Sequence, residues 1–265
     1  MTEAALDFAA LTDAGTSRTL NEDACGSYSA GESHALVAVA DGVSGFEAGE
    51  VASRMAVEVV LRAYREEPAS LPAGERLYRA FQQANIEIHD RAMVVPELRG
   101  MATTLTTAVV DGGDLTVVHV GDSRLYLIRG PDIVQLTKDH TVVADRVRLG
   151  LLTREKARTH PDRSILTRSM GRELIVTRDR IRQRLRQGDL LVLCSDGLHG
   201  VLEETEIAGI AARREAEAVC RELVAAANAR GTPDNLTVAA VRVVGPVAQA
   251  APEGVGARLR KILGL

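Results

Sequence analysis

The chain has no tryptophan, and aromatic residues fill only 3% of its 265 positions. Proteins that grip single-stranded nucleic acid stack bases on aromatic rings, and nucleic-acid binders in general carry a basic footprint. Both features are missing here, because 32 Lys plus Arg stand against 36 Asp plus Glu, a formal charge of −4. A nucleic-acid partner is therefore not expected. Long apolar runs are also missing. Runs such as ALVAVA from Ala35 fall far short of the about 20 residues that cross a bilayer, so no transmembrane segment is expected. The opening MTEAALDFAALTDAG has no basic region leading into an apolar core, and no secretory signal is read from it. Cysteine is scarce: Cys25, Cys194 and Cys220 are odd in number and form no C-x-x-C pair. That speaks against a disulfide framework or a zinc knuckle and fits a reducing cytoplasm.

Several catalytic signatures are absent as well. There is no G-x-S-x-G elbow, no Walker A loop and no H-E-x-x-H spacing among His34, His89, His119, His140, His160 and His199. Cys194 is followed six residues later by Gly200, not by the arginine that a cysteine phosphatase needs. Gly121-Asp122-Ser123 is similar to the start of a GDSL-type esterase, but it follows an internal strand far from the N-terminus.

What is present is an ordinary globular balance, 46% hydrophobic and 26% charged, in a chain long enough to bury a substantial core. Strands are expected at 6–11, 34–40, 102–110, 115–120, 124–129, 132–136, 189–194 and 236–243. Several are separated only by turn residues, notably Asp111-Gly112-Gly113 and Gly130-Pro131, which signals hairpins and antiparallel pairing. Helical stretches come in pairs, 48–66 with 74–93 and 204–212 with 215–229. Strand runs interleaved with paired helices imply an α+β layered domain instead of a doubly wound parallel sheet. The Arg-rich segment 141–163 reads either as a mobile excursion or as a pair of solvated surface helices. Residues 245–254 read as a linker to a short basic amphipathic tail, 255–265, which either docks on a partner or surface or frays.

Four aspartates fall at strand edges beside turn residues: Asp41 before Gly42, Asp122 after Gly121, Asp196 before Gly197, and Asp234 before Asn235. Singly, each reads as a turn residue. Gathered by a rigid sheet they would repel one another unless a hard divalent cation neutralised them, and oxygen ligands of this kind suit Mg²⁺ or Mn²⁺. Arg18, in TDAGTSRTLNEDA ahead of Glu22 and Asp23, reads either as a surface ion pair or as a bidentate phosphate clamp.

In order along the chain stand TDAGTSRTLNEDA (12–24), VADGVSGFEAGEVAS (39–53), GMATTLTTAVV (100–110), VHVGDSRLYLIR (118–129), LTKDHT (136–141), LTRSMG (166–171), LLVLCSDGL (190–198) and GTPDNLTVAAV (231–241). This ordered set resembles the PPM or protein phosphatase 2C family, in particular its compact bacterial members. The resemblance implies a four-layer α-β-β-α sandwich over residues 1–244, two central antiparallel sheets flanked by helix pairs, with a variable flap at about 141–165. It implies metal-dependent hydrolysis of phosphoserine and phosphothreonine in proteins, driven by a metal-bridging water and without a phosphoenzyme. Two Mn²⁺ or Mg²⁺ ions, with a possible third, would be held by Asp41, the Gly42 carbonyl, Asp196 and Asp234, with Asp122 and Ser164 serving the third. Arg18 would grip the substrate phosphate, and Glu22 and Asp23 would order waters or Arg18 behind it. Phosphorylated proteins, the targets of a Ser/Thr kinase, are the implied partners. Two positions depart from the family: Val43 replaces a histidine common in eukaryotic members, and Met101-Ala102-Thr103-Thr104 replaces Met-Gly-Thr-Thr. A non-catalytic phosphoprotein reader and a hydrolase of small phosphorylated metabolites are the competing readings.

Overall fold

The computed structural model describes residues 5–43 and 48–247. In chain order the strands are β1 (Leu6–Asp13), β2 (Asp23–Tyr28), β3 (His34–Asp41), β4 (Leu105–Asp111), β5 (Asp114–Val120), β6 (Arg124–Arg129), β7 (Asp132–Gln135), β8 (Asp179–Arg184), β9 (Leu190–Cys194) and β10 (Leu236–Val243). The helices are α1 (Gly49–Glu66), α2 (Ala73–Val94), α3 (Val142–Arg148), α4 (Arg154–Arg158), α5 (Asp196–His199), α6 (Glu204–Ala211) and α7 (Ala216–Ala229).

The strands make two five-stranded sheets, ordered β1-β10-β9-β6-β7 and β2-β3-β4-β5-β8, with antiparallel pairing throughout. Strand β3 shows why they stack. Its alternation sends Leu36, Ala38 and Ala40 toward α1 and α2, and Ala35, Val37 and Val39 toward the other sheet. In β9, Leu191 and Leu193 meet that same inter-sheet core, whereas Leu190, Val192 and Cys194 face α6 and α7. Three apolar interfaces therefore separate four layers, the α-β-β-α sandwich expected of the sequence.

The hairpin of β4 and β5 turns on Gly112 and Gly113, both at positive φ, which fits the primed two-residue turn. Strand β4 starts three residues later than expected. Met101–Thr104 instead crosses between elements, with Thr103 bridging to both Gly42 and Met170. Strands β2 and β8 were not legible as strands. The segment 141–163 carries the short helices α3 and α4, the second of its two readings. Its ends are joined by a bridge between Thr141 and Leu166. Among the described residues, no helix is long and apolar enough to cross a membrane. The tail at 255–265 lies outside the described residues.

Candidate metal centre

Strand ends bring the acidic residues to one end of the sandwich. Asp41 closes β3, where its amide donates to Thr104 Oγ1 (3.0 Å) and its carbonyl accepts from Thr103 Oγ1 (2.8 Å). Thr104 in turn shares a 2.7 Å hydrogen bond with Ser123, beside Asp122. Gly42 follows in a passage too narrow for any side chain: a Cβ there would lie 2.5 Å from the Gly49 backbone and 2.7 Å from the Glu22 carbonyl. Asp196 opens α5 just after β9, the central strand of its sheet, and Asp234 precedes β10, which pairs with β9. Gly197 is equally confined, since a Cβ would fall 2.0 Å from the Asn235 carbonyl oxygen.

The carboxylates feel one another. Burial holds Asp41 well above the ordinary carboxylate pKa, and the charges of Asp23, Asp196, Asp122 and Asp234 push it further. Burial raises Asp122 as well, with Asp196 and Asp139 adding to it and Arg124 opposing. Asp196 is pushed up to about 6 by burial and by Asp234, against a hydrogen bond from Asp41 and the charges of Arg163 and Arg18. Four aspartates far apart in sequence thus form one electrostatic unit whose negative charge the protein alone leaves poorly compensated.

The donor set fits a hard divalent cation. Among the described residues no group of three or more His, Cys, Asp or Glu is placed to hold an ion by itself. Magnesium-like ions keep several waters and take one or two carboxylates each, so a chain of shared carboxylates suits them better than a closed cage.

Arg18 takes the first of its two sequence readings, an ion pair. Its Nη2 sits 3.0 Å from each oxygen of Asp234 and its Nε donates to the Pro233 carbonyl (3.3 Å), an ion pair built onto the acidic cluster itself. Asp23 is buried in register with Asp41, accepts from Ser195 Oγ at 2.7 Å, and has its carboxyl raised to about 7 by burial. Glu22 brings its carboxylate against Gly49 at the start of α1, where a helix N-terminus favours negative charge. Ser164 is exposed at the end of a 3₁₀ turn, and no recorded hydrogen bond ties it to Asp122 or Asp196. Its neighbour Arg163 is the flap residue whose charge reaches Asp196.

Sequence reasoning missed Asn235. Its Nδ2 donates to the carbonyls of Ala14 and Leu20, both at 2.9 Å, and its Oδ1 accepts from the Glu22 amide at 2.8 Å. One buried amide therefore clamps the loop that carries Arg18. The Asp-Asn pair looked like a turn, and only its place beside a strand-edge acid hinted at more.

The model for protein phosphatase 2C matches residues 14–238. The chain belongs to the protein phosphatase 2C family. It is 38% identical over 231 residues to the serine/threonine phosphatase stp of Listeria monocytogenes, across 86% of this chain and 92% of that one. The structure of the Mycobacterium tuberculosis serine/threonine phosphatase PstP/Ppp superposes with a TM-score of 0.81 at 35% identity, covering 91% of this chain and all (100%) of that one. The catalytic domain of PstP in complex with 2 manganese ions gives a TM-score of 0.79 at 35% identity, over 91% and 99% of the two chains. The sandwich is thus that of the 2C phosphatases.

Proposed function

We propose that the chain hydrolyses phosphoserine and phosphothreonine in proteins, using divalent cations at the Asp41 cluster and water as the nucleophile. The chain is a protein serine/threonine phosphatase of the 2C family. The observation that supports the metal requirement is the gathering of Asp41, Asp122 and Asp196 at adjoining strand ends, each carboxyl raised by burial and then by neighbouring acids. A relative's complex with 2 manganese ions supports Mn²⁺, and the same oxygen ligands accept Mg²⁺.

Asp41 would be shared between two cations, with the Gly42 carbonyl on one of them and Asp196 and Asp234 completing the pair. Asp122, with Asp196, would serve a third, and Ser164 would approach it from the flap. Such cations, when bound, acidify the attacking water and neutralise charge on the phosphoryl oxygens. Arg18 would leave Asp234 to fork onto the substrate phosphate, which its planar guanidinium matches in geometry. Asp23 stays behind Asp41, held by Ser195, and fixes the strand end. Retention of all four acids favours turnover over a phosphoprotein reader. Three free thiols are in keeping with the cytoplasm, where the targets of a Ser/Thr kinase would be substrates.

The test is release of phosphate from a phosphothreonine peptide with Mn²⁺, with Mg²⁺ and with excess EDTA. Release that needs metal and vanishes in Asp41→Ala is expected. Release that persists in EDTA, or binding of the peptide with no release under either metal, overturns the proposal.

A further inference from the structure

The turn that presents Asp122 is not self-supporting. Gly121 sits at φ 110°, and a Cβ there would fall 2.5 Å from the Thr104 side chain, so the turn runs through a conformation only glycine tolerates well. Something must hold it. The backbone amide of His140 donates to the Gly121 carbonyl at 2.8 Å, and the Gly121 amide donates to His140 Nδ1 at 3.1 Å. One residue thus satisfies both backbone polar groups of the glycine ahead of Asp122.

The imidazole is fixed from its other side. The Gly121 amide can only donate, so Nδ1 accepts and the ring proton resides on Nε2, which lies 3.4 Å from Asp179 Oδ2 and 3.2 Å from Arg168 Nη1. Arg168 donates to Asp179 Oδ1 at 3.1 Å and locks that carboxylate in place. His119 covers one face of the ring, with centroids 4.8 Å apart, and is itself held by Thr106 and the Lys138 carbonyl. Burial and the Arg168 charge keep His140 below its ordinary pKa, so Nδ1 stays free to accept. The buried side chain, 5% exposed, touches none of the four clustered aspartates in any recorded hydrogen bond.

We infer that His140 is a positioning residue for Asp122, whose Nδ1 pins the Gly121–Asp122 turn so that the carboxylate is aimed at a cation. The inference rests on the reading of Asp122 as a metal contact. His140 also roots the flap, since its carbonyl accepts from the Thr167 amide at 2.8 Å and Thr141 begins the excursion through α3 and α4. The turn and the flap base therefore share one brace.

The test is Mn²⁺ binding to the metal-free protein, followed by calorimetry and without substrate, in five chains: wild type, Asp122→Ala, His140→Phe, His140→Asn and His140→Gln. Asn places an oxygen near the Nδ1 position and Gln places its amide near Nε2, so only Asn preserves the acceptor for Gly121. Asp122→Ala is expected to remove one binding step. His140→Phe is expected to weaken that same step about tenfold, the lower end for lost outer contacts around a metal. His140→Asn should bind within about twofold of wild type, and His140→Gln should resemble the Phe variant. If Asp122→Ala removes a step that His140→Phe leaves intact, the positioning role is wrong and the reading of Asp122 stands. If Asp122→Ala changes no step, that reading fails and takes the inference with it. Should His140→Phe fold poorly by thermal melt, the Asn and Gln variants decide: equal Mn²⁺ binding in both overturns the role of Nδ1.

Discussion

Asp23 and Asp41 face each other in register across β2 and β3, two buried or half-buried carboxylates on neighbouring strands. Like charges directly opposite destabilise a sheet, and here burial sharpens the cost. A proton or a nearby cation would relieve the pair. The structure places Asp196 and Asp234 within electrostatic reach of both, a repulsion that a bound cation would relieve.

Asp41→Asn therefore separates stability from function. In EDTA the variant is expected to melt at or above the wild-type temperature, because one repelling charge is gone. Each 1 kcal/mol recovered corresponds to about 2–4 °C for a chain of this size. Adding Mn²⁺ should raise the wild-type melting temperature and leave the variant nearly unmoved. Calorimetric scans with and without Mn²⁺ check both; a variant that gains as much from Mn²⁺ as wild type removes Asp41 from the cation site.

Arg18→Ala tests the ion pair with Asp234. In the proposed mechanism Arg18, paired with Asp234, would compete with cations for that carboxylate and serve the phosphate once substrate arrives. The variant is expected to raise the KM for a phosphothreonine peptide about tenfold, the loss of about 1.4 kcal/mol of charge-assisted hydrogen bonding. Its affinity for Mn²⁺ should be unchanged or slightly tighter. Weaker Mn²⁺ binding with an unchanged KM would make Arg18 a support of the acidic cluster and not a phosphate ligand.

Acid should act through His119. This imidazole is fully buried and neutral, its pKa lowered to about 4 by burial and by His140. A histidine depressed in the folded state contributes stability above its unfolded pKa of about 6.5 and loses it as pH falls toward the folded value. Between pH 6.5 and 4 this one group accounts for a loss on the order of 3 kcal/mol. His119→Gln keeps a donor for the Lys138 carbonyl but cannot take up the proton. It should be less stable at neutral pH and lose less over that window, as urea denaturation at several pH values would show. Parallel slopes in variant and wild type would contradict the assignment.

The legible parts of the chain were those whose physics is local. Strand β3 reads as a strand because its alternating residues are apolar on both faces, and β6 and β10 were expected at the bounds observed. Strand β2 did not, because its residues answer to neighbours that no local pattern reveals. Gly26 is required by α1, where a Cβ would meet Val57 and Leu61 at 2.8 Å, and Asp23 belongs to the acidic cluster. Strand β8 looked like loop because Arg180 reaches out to Glu75 and lies over Tyr78 of α2. The clustered acids were singled out by strand-edge position and family resemblance together. His140 stayed hidden: it stood in the LTKDHT string with no role attached, and its burial comes from Gly121, Arg168 and His119 closing around it.

Asn235 shows how much of the site depends on one neutral side chain. Its amide supplies both donors and an acceptor to the backbone of the loop between β1 and β2, at Ala14, Leu20 and Glu22. That loop has no regular structure over 14–22, so these bonds, with Asp13 Oδ1 accepting from the Gly15 amide, set its path. Asn235→Ala would leave three backbone groups without partners, but those groups are only half-buried or exposed and water can reach them. A cost of about 1–3 kcal/mol in urea denaturation is expected, below the sum for three fully buried groups. The effect on catalysis should be larger in proportion, because the freed loop no longer holds Arg18 beside Asp234, and misplaced catalytic groups lose rate steeply. Asn235→Asp is the sharper variant: it keeps the size and the acceptor for Glu22, loses both donors, and adds a further negative charge near Asp196 and Asp234. It is expected to be less active than wild type at low Mn²⁺ and to recover partly as Mn²⁺ rises. Activity equal to wild type at every Mn²⁺ concentration would show that the loop finds its place without the clamp.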